Sequence, residues 1–313
     1  MMNTLIVPCC GRNFIANQPR WLLPYPPNDI LLGKCLKKLG IEHYNRIIVT
    51  ILQKDLDICP LINLKEFVSE KVEFCILEQE TTGPADTVYE TIIRSDIKGS
   101  IEIKDIDILF ERPIITHRNF VTGIHLFDYD SDLKSVRNKS FITRNEQNSI
   151  LDIIEKTIKS DIISMGLYGF SNAKDFCDAY LTLKENFLDY ERIYVSHVIA
   201  YLIGVDNKVF NYVEIANYTA IEQEKDYEKL IKCKGTYFID IEKLNVVDYI
   251  KYIQYMEKKG ANIYFLANPN SVQKIEEMIQ KYNLLGKIIV LNSKHAQVIS
   301  SEEKLKEAYL NVY

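Results

Sequence analysis

Short apolar runs alternate with stretches of helical periodicity along the first two thirds of the chain. The predicted strands span 4–8, 46–52, 72–77 and 100–103. The predicted helices span 29–39, 62–69 and 86–97. Strands that alternate with helices form a mainly parallel sheet covered by helices, with ligands at the carboxyl ends of the strands. The pattern therefore predicts an α/β fold whose functional residues lie in loops that follow strands.

A second alternation begins after Lys234. It predicts strands in GTYFIDI, NIYFLA and KIIVL, and helices over 246–259 and 271–282. A length of 313 residues exceeds the size at which one hydrophobic core usually keeps growing. We therefore predict two domains, 1–232 and a smaller α/β domain over 233–313, joined at the lysine-rich segment 222–234. A helix packed between the domains would give the same pattern in that segment.

Composition excludes several classes of function. A formal net charge of −5 argues against nucleic-acid binding, which needs a basic surface. The seven cysteines form no Cys-x-x-Cys pair, so they indicate neither a disulfide framework nor a zinc site and fit reduced thiols in the cytoplasm. No apolar run approaches the roughly 18 residues of a membrane span, and no basic leader is present. We therefore expect a cytoplasmic protein without membrane insertion.

The first predicted strand runs into a loop suited to phosphate. The loop reads Pro8-Cys9-Cys10-Gly11-Arg12, where the glycine permits close backbone approach and main-chain N–H groups can face an anion. Arg20 follows in PRWLLP, where a cation could return to the same phosphates. The alternative is an ordinary strand-to-loop turn followed by a surface arginine.

Two carboxylates follow the predicted strand at 100–103. They are Asp105 and Asp107 in KDIDILF, where a hard cation and triphosphate oxygens could meet. Mg²⁺ prefers such carboxylate and phosphate oxygens, so Mg²⁺ is the expected cofactor. Surface Asp-x-Asp pairs are common, and the segment around Asp128 and Asp130 imitates a calcium loop but has Lys139 in place of its last glutamate. Only the position after a strand distinguishes Asp105 and Asp107.

These segments, together with TTGPADTVYETI at 81–92 and Ile154-Glu155-Lys156 before GLYGF, resemble the sugar-1-phosphate nucleotidyltransferases, particularly those of capsule loci. The resemblance implies a mixed, mainly parallel sheet of the nucleotidyltransferase (GT-A, Rossmann-like) type. The family has a longer glycine loop with an arginine near the position of Asn13, and a lysine where this chain has Arg20. Arginine keeps the charge but is larger than lysine and not equivalent to it.

The resemblance also implies roles for individual residues. The implied catalytic residues are Arg20, Asp107 and Lys156. The implied nucleotide-binding residues are Pro8, Cys10, Gly11, Arg12, Gly83, Ala85, Asp86 and Asp105. The implied acceptor-binding residues are Glu155, Lys156 and Gly166, and the implied metal ligands are Asp107 and Asn217.

Two of these segments also have a purely structural interpretation. Gly83 and Pro84 can form a turn with Asp86 as a helix N-cap. Glu155 and Lys156 can be a solvent-facing pair at the end of a strand.

The C-terminal segment resembles a reduced haloacid-dehalogenase-like phosphatase core, with TYFIDIEKL as its first strand and NIYFLANPNS as its second. Asp240 matches the nucleophile of that family, but Glu242 replaces its second aspartate and Leu266 occupies its hydroxyl position. Lys294 could match its lysine. We therefore expect a non-catalytic domain that serves packing or homo-oligomerisation.

The implied reaction joins an NTP, with CTP ahead of UTP, to a phosphorylated sugar or polyol and releases pyrophosphate, in the synthesis of a surface polysaccharide. No protein nucleophile is needed, since the acceptor phosphate attacks the α-phosphate directly. Two alternatives remain open. The chain could be a catalytically impaired protein that binds nucleotide or sugar phosphate and regulates a partner enzyme, or a bifunctional enzyme with a working C-terminal phosphatase.

Overall fold

The structure is a computed structural model. It describes residues 3–11, 14–15, 18–27, 29–58, 64, 67–130, 133–186, 192–233, 235–241, 243–244, 249–268, 270–290 and 298–311. Two compact units emerge from the contacts between residues. One comprises Met1–Gly11, Cys35–Gln53 and Ser69–Ala220, and the other comprises Arg12–Lys34, Lys54–Val68 and Ile221–Tyr313. We call them the N-terminal unit and the C-terminal unit. The predicted domain boundary at 232–233 stays a prediction.

Strands and helices alternate along most of the described chain. The strands are β1 (Asn3–Pro8), β2 (Phe14–Ile15), β3 (Gln18–Pro19), β4 (Pro24–Tyr25), β5 (Asp29–Ile30), β6 (Arg46–Leu52), β7 (Val72–Leu77), β8 (Ser100–Lys104), β9 (Ile108–Phe110), β10 (Phe120–His125), β11 (Ser140–Arg144), β12 (Ile150–Glu155), β13 (Ile162–Phe170), β14 (Asn211–Glu214), β15 (Tyr218–Ala220), β16 (Thr236–Asp240), β17 (Asn262–Ala267), β18 (Lys287–Val290) and β19 (Val298–Ile299).

The α-helices are α1 (Leu31–Leu39), α2 (Gln53–Ile58), α3 (Pro84–Arg94), α4 (Leu133–Val136), α5 (Ala173–Asn186), α6 (Val195–Gly204), α7 (Glu224–Cys233), α8 (Ile250–Lys258), α9 (Val272–Tyr282) and α10 (Glu302–Asn311). Short 3₁₀ helices span Arg20–Leu22, Ile41–His43 and Leu126–Asp128. Of the predicted helix at 62–69, residues 62, 63, 65 and 66 lie outside the described residues; Leu64 is helical, and 67–69 are not. In the part of the chain that the structure describes, no helix is both long and apolar enough to cross a membrane.

The N-terminal unit is built on a mixed sheet with the strand order β12-β11-β13-β8-β1-β6-β7. The ladders that join β8, β1, β6 and β7 are parallel, so these strands end at one edge of the sheet. Strand β13 adds to β8 in the antiparallel sense, and β10 pairs with both β13 and β14. The prediction of a mixed, mainly parallel α/β fold is confirmed.

The central strand β8 has two different faces. Ile101 and Ile103 are fully buried in the main apolar core, which α3, α5 and α6 also line. Ser100, Glu102 and Lys104 alternate with them and are buried as well. Because a strand projects alternate side chains to opposite faces, β8 carries a polar row through the unit to its carboxyl end.

The C-terminal unit contains a parallel sheet with the strand order β18-β17-β16-β19. Helices α8, α9 and α10 contribute to the apolar core of this sheet. The second, smaller α/β region is therefore confirmed. Its resemblance to a phosphatase core stays a prediction, and Glu242 and Lys294 lie outside the described residues.

Candidate functional site

The polar row of β8 ends at the predicted carboxylates. Lys104, the last residue of β8, is fully buried, and its ammonium group donates a hydrogen bond of 2.6 Å to the main-chain oxygen of Asp105. The same ammonium group lies 4.8 Å from the centre of the Phe110 ring. Asp105 and Asp107 follow and are both half-buried. The sequence analysis placed Lys104 only as the first residue of KDIDILF, after the strand predicted at 100–103, and gave it no role.

Asp105 is held against β13. Its N–H donates to the Gly166 carbonyl oxygen at 2.8 Å, and the Tyr168 hydroxyl donates to its Oδ2 at 3.3 Å. Burial and the neighbouring charge of Asp107 raise the pKa of Asp105 to about 7, although the positive charges of Lys104 and Lys139 act in the opposite direction. The site therefore concentrates negative charge that a cation would relieve.

Lys139 and Tyr168 are two residues that the sequence did not single out as functional. Lys139 was noted only as the residue that spoils a calcium loop, yet it is buried and close enough to Asp105 to affect its pKa. The Tyr168 hydroxyl accepts a hydrogen bond of 3.2 Å from Ser164 while it donates to Asp105. Neither position carries a local signal. Tyr168 lies on β13, which reaches β8 by long-range pairing, and Lys139 immediately precedes β11, which pairs with β13.

Glu155 ends strand β12, and Lys156 follows it in a turn, in a different environment. Glu155 is half-buried, and the hydroxyls of Ser140 and Ser196 donate to its Oε2 at 2.5 and 2.6 Å. Lys156 is exposed, has a positive φ of 54°, and donates from Nζ to the Tyr194 hydroxyl at 2.5 Å. The alternative of a simple solvent-facing pair is therefore wrong for Glu155.

The polar neighbourhood continues into α6. The Nδ1 atom of His197 accepts the Tyr194 N–H at 3.3 Å. Burial lowers the pKa of His197 below its ordinary value, so the neutral ring is favoured at pH 7 with its proton on Nε2. In this arrangement the imidazole caps the N-terminus of α6 as a hydrogen-bonding residue.

The segment at 81–92 is tied to the rest of the N-terminal unit. Gly83 is the N-cap of α3, so the alternative interpretation of Asp86 as the N-cap is wrong. A Cβ on Gly83 would lie 2.9 Å from the main-chain oxygen of Ile193, and the Ala85 N–H donates to that oxygen at 3.2 Å. The space that glycine leaves at position 83 is therefore occupied by the Ile193 main-chain oxygen of the same chain.

Asp86 lies in the first turn of α3 and is buried among donors. Thr82 donates to Oδ2 from its N–H and its hydroxyl, both at 2.9 Å, and the Tyr180 hydroxyl donates to Oδ1 at 2.5 Å. Lys184 Nζ lies 3.7 Å from Oδ1. Burial acts to raise the pKa of Asp86, but these donors outweigh it and hold the pKa below its ordinary value.

The predicted phosphate loop is described only in part. Pro8 ends β1, Cys10 is buried and Gly11 is exposed, whereas Arg12 lies outside the described residues. Arg20 belongs to the C-terminal unit, where it is buried and donates from Nη2 to the main-chain oxygen of Glu222 at 2.9 Å. The alternative of a surface arginine is therefore wrong.

Asn217 and Asp107 are not brought together. Strand β15 pairs antiparallel with β9, so that Tyr218 lies opposite Phe110 and Ala220 opposite Ile108. Asn217 precedes β15 and Asp107 precedes β9, which places them beyond opposite ends of the ladder, on the order of 10 Å apart along it. The role of Asn217 as a metal ligand stays a prediction without support from this register.

The donor set suits a magnesium ion that is shared with a substrate. Within the described ranges, no group of three or more His, Cys, Asp and Glu side chains could hold a metal by itself. Mg²⁺ is usually held by one or two carboxylates together with substrate phosphates. Asp105 and Asp107, with the raised pKa of Asp105, fit that description.

Among known proteins, the chain is similar to solved structures. No family model matches the chain. No curated protein matches it. A nucleoside-diphosphate-sugar pyrophosphorylase from Vibrio cholerae RC9 superposes with a TM-score of 0.60 and 18% identity, covering 74% of this chain and 100% of that chain.

Two further structures are similar. The inositol-1-phosphate CTP transferase from T. maritima has a TM-score of 0.57 and 17% identity, covering 74% of this chain and 96% of that one. HddC from Yersinia pseudotuberculosis has a TM-score of 0.52 and 17% identity, covering 75% of this chain and 100% of that one. At these identities the similarity establishes a sugar-phosphate-nucleotidyltransferase-like fold.

Proposed function

We propose that the chain is a nucleotidyltransferase that joins an NTP, with CTP ahead of UTP, to a phosphorylated sugar or polyol. The observation that carries the proposal is the position of Asp105 and Asp107 at the carboxyl end of β8, against Gly166 and Tyr168 of β13. A CTP transferase and a nucleoside-diphosphate-sugar pyrophosphorylase among the structures of similar fold support this class of reaction.

The reaction forms one P–O bond and breaks another. An oxygen of the acceptor phosphate attacks the α-phosphorus of the NTP, and the bond to pyrophosphate breaks. Lys156, exposed and steadied by Tyr194, binds the acceptor phosphate. Glu155 presents Oε1 to an acceptor hydroxyl, because two serine hydroxyls already bind Oε2.

Asp105 and Asp107 would hold Mg²⁺ with the triphosphate. The ion would neutralise charge on the phosphate oxygens when it is bound. Lys104 fixes the main chain of Asp105, and Tyr168 fixes its carboxylate, so the Asp105 carboxylate is oriented before substrate arrives. Arg20 and the loop at Gly11 are assigned to the triphosphate on the strength of the sequence resemblance.

The test is pyrophosphate release from CTP, UTP, GTP, ATP and dTTP against a panel of sugar and polyol phosphates with Mg²⁺. We expect activity with one pair, and a loss of about 100-fold or more in Asp107→Asn. Asp128→Asn is the matched control, because Asp128 belongs to an exposed Asp-x-Asp pair. Equal rates in Asp107→Asn and the wild type would reject the assignment of Asp107.

A regulatory nucleotide-binding protein is the second candidate. What favours it is the departure from the family's pattern, with a shortened glycine loop and Arg20 where the family has lysine. A rise in melting temperature with CTP and Mg²⁺, without pyrophosphate release across the panel, would select this candidate. A role in surface-polysaccharide synthesis, a cytoplasmic location and homo-oligomer formation remain parts of the proposal.

A further inference from the structure

A groove, which we call the polar groove, lies on the N-terminal unit between the loop after β9, the turn that joins β11 to β12, and strand β14. Its volume is about 450 Å³, within the range of roughly 300–1,000 Å³ that small-molecule sites occupy. All of its lining residues fall within 113–214, so the groove belongs to one unit. None of them is predicted to bind nucleotide, metal or acceptor. Its lining includes Thr116, His117, Asn148, Asn211, Tyr212 and Glu214.

A buried tyrosine of the polar groove has a hydroxyl without a partner. Tyr212 is 6% exposed, and its Oη forms no hydrogen bond with any part of the chain that the structure describes. The ring lies against β10, where a Cβ on Gly123 would be 2.8 Å from Tyr212 Cε2. Burial raises the pKa of Tyr212 above its ordinary value, so the hydroxyl keeps its proton at pH 7. Because an unpaired buried polar group is costly, this hydroxyl indicates a ligand or a bound water.

An arginine beside Tyr212 orients a second residue of the polar groove. The guanidinium carbon of Arg144 lies 5.1 Å from the centre of the Tyr212 ring, and its Nη1 donates to Asn148 Oδ1 at 2.8 Å. The Asn148 oxygen is therefore occupied, and its amide nitrogen is left to donate to a ligand. Asn148 and Tyr212 thus both contribute hydrogen-bond donors to the groove lining.

The turn that carries Asn148 is closed by its own hydrogen bonds. Asn145 Oδ1 accepts the N–H of Gln147 at 3.0 Å and that of Ser149 at 2.9 Å. The Tyr212 N–H donates to the Asn148 carbonyl oxygen at 2.8 Å, which attaches the turn to β14. Asn148 has a φ of 63°, a conformation that asparagine tolerates better than most residues. The two donors are therefore held in place before any ligand binds.

The charge of the polar groove favours an uncharged ligand. Its described lining contains no lysine or arginine, and Glu214 is exposed. A phosphate group bound there would meet the Glu214 carboxylate without a lining lysine or arginine to offset the repulsion. Amide, hydroxyl and carboxylate groups together match ligand hydroxyls, each of which both donates and accepts. Ile114, which is 91% exposed, adds an apolar surface for the C–H groups of such a ligand.

We propose that the polar groove binds an uncharged saccharide, with Tyr212 and Asn148 as hydrogen-bond donors to its hydroxyl groups. The inference is independent of the proposed transferase reaction, because both substrates of that reaction carry phosphate. It gives the N-terminal unit a second binding site, for a glycan that the proposed reaction does not consume.

Isothermal titration calorimetry of the full chain with methyl α-glucoside, lactose and N-acetylglucosamine tests the proposal. We expect at least one of these probes to bind with a Kd of about 1–10 mM. Raising NaCl from about 50 to about 500 mM should change that Kd by less than about twofold, because no charge is neutralised on binding. Inorganic phosphate should not displace the saccharide.

Variants then locate the binding site. Tyr212→Phe removes only the hydroxyl, and Asn148→Gly removes a side chain while permitting the positive φ, so each should raise the Kd about fivefold. Tyr201→Phe is the matched control, because Tyr201 is a half-buried tyrosine of α6 that does not line the groove. It should bind the saccharide as the wild type does. Circular dichroism establishes that each variant is folded.

The outcomes that decide the proposal are distinct. Weaker binding in both Tyr212→Phe and Asn148→Gly, with unchanged binding in Asp107→Asn, would support the polar groove as the site. Absence of binding by all three probes would overturn the inference, and so would displacement by inorganic phosphate, which would indicate the acceptor site instead. Unchanged affinity in both groove variants would also overturn it. A lower melting temperature of unliganded Tyr212→Phe would then identify bound water as the partner of the hydroxyl.

Discussion

Asp105 and Gly166 meet through their main chains, with the Asp105 N–H 2.8 Å from the Gly166 oxygen. A Cβ on Gly166 would lie 2.8 Å from Asp105 Oδ2 and 2.9 Å from Asp105 Cβ. Gly166 also has a φ of 72°, which favours glycine. A glycine at position 166 therefore allows β13 to lie close to Asp105, the first carboxylate residue of the candidate site.

Gly166→Ala is expected to displace Asp105. The added methyl group would collide with the Asp105 side chain and strain the backbone, so unfolding free energy should fall by about 1–3 kcal/mol. Pyrophosphate release should fall about tenfold or more, because small displacements of catalytic groups are costly. Urea unfolding and steady-state kinetics measure the two effects.

Gly260→Ala is the matched control for Gly166→Ala. Gly260 has a φ of 88° and nothing within 4 Å of its added Cβ, so it carries backbone strain without a collision. It should lose stability but keep its activity. Equal activity in both variants would contradict the link between Gly166 and the position of Asp105.

The sequence predicted those parts of the fold that local periodicity specifies. The strands at Arg46–Leu52 and Val72–Leu77 match their predictions residue for residue. The helix predicted from 86 begins two residues earlier, at Pro84, because proline suits the first turn of a helix. The helix predicted from 29 begins at Leu31, because Asp29 pairs with Tyr25 in a short hairpin.

The parts of the candidate site that the sequence missed depend on non-local pairing. Asp105 and Asp107 were recognisable because they follow a strand along the chain. Lys139 and Tyr168 reach Asp105 only through β11 and β13, whose pairing carries no local signal. The assignment of residues 18–34 to the same unit as the C-terminal sheet likewise depends on contacts such as that of Tyr264 with Tyr25.

Gly83→Ala should destabilise the N-terminal unit without straining the backbone, since Gly83 is fully extended at φ −176°. Its Cβ would lie 2.9 Å from the Ile193 main-chain oxygen, so the loop or the helix must shift, at a cost of about 1–3 kcal/mol. Thermal unfolding measures the loss. Unchanged stability together with weaker nucleotide binding would indicate that Gly83 serves the base rather than Ile193.

Asp86 should contribute stability that depends on pH. Its folded-state pKa is lowered, so its contribution is present above its unfolded pKa and is lost as pH falls through the folded pKa. Asp86→Asn should therefore cost about 1–3 kcal/mol at pH 7, and this cost should shrink as pH falls below about 4. Urea unfolding at pH 7, 5 and 3 measures the difference. A cost independent of pH would contradict an ionised, hydrogen-bonded Asp86.

A buried ion pair lies at the middle of the polar row of β8, at Glu102. Arg112 donates from Nη2 to Glu102 Oε1 at 2.7 Å, and Tyr44 donates to Glu102 Oε2 at 2.8 Å. Asn3 donates to Oε1 at 3.1 Å. The Glu102 side chain is only 6% exposed, so its charge depends on these partners rather than on water.

Arg112→Met should be more damaging than loss of both charges. It leaves the buried Glu102 carboxylate without its cation, which costs about 3–5 kcal/mol, whereas replacing a buried pair with apolar residues is often close to neutral. Glu102→Leu combined with Arg112→Met should therefore recover part of the loss. Arg94→Met is the control, because Arg94 forms an exposed pair with Glu90 that contributes little. Urea unfolding of the wild type, Arg112→Met, the double variant and Arg94→Met measures these free energies. A double variant less stable than Arg112→Met would contradict the expectation. It would show that losing the carboxylate as a partner of Tyr44 and Asn3 costs more than leaving it without Arg112.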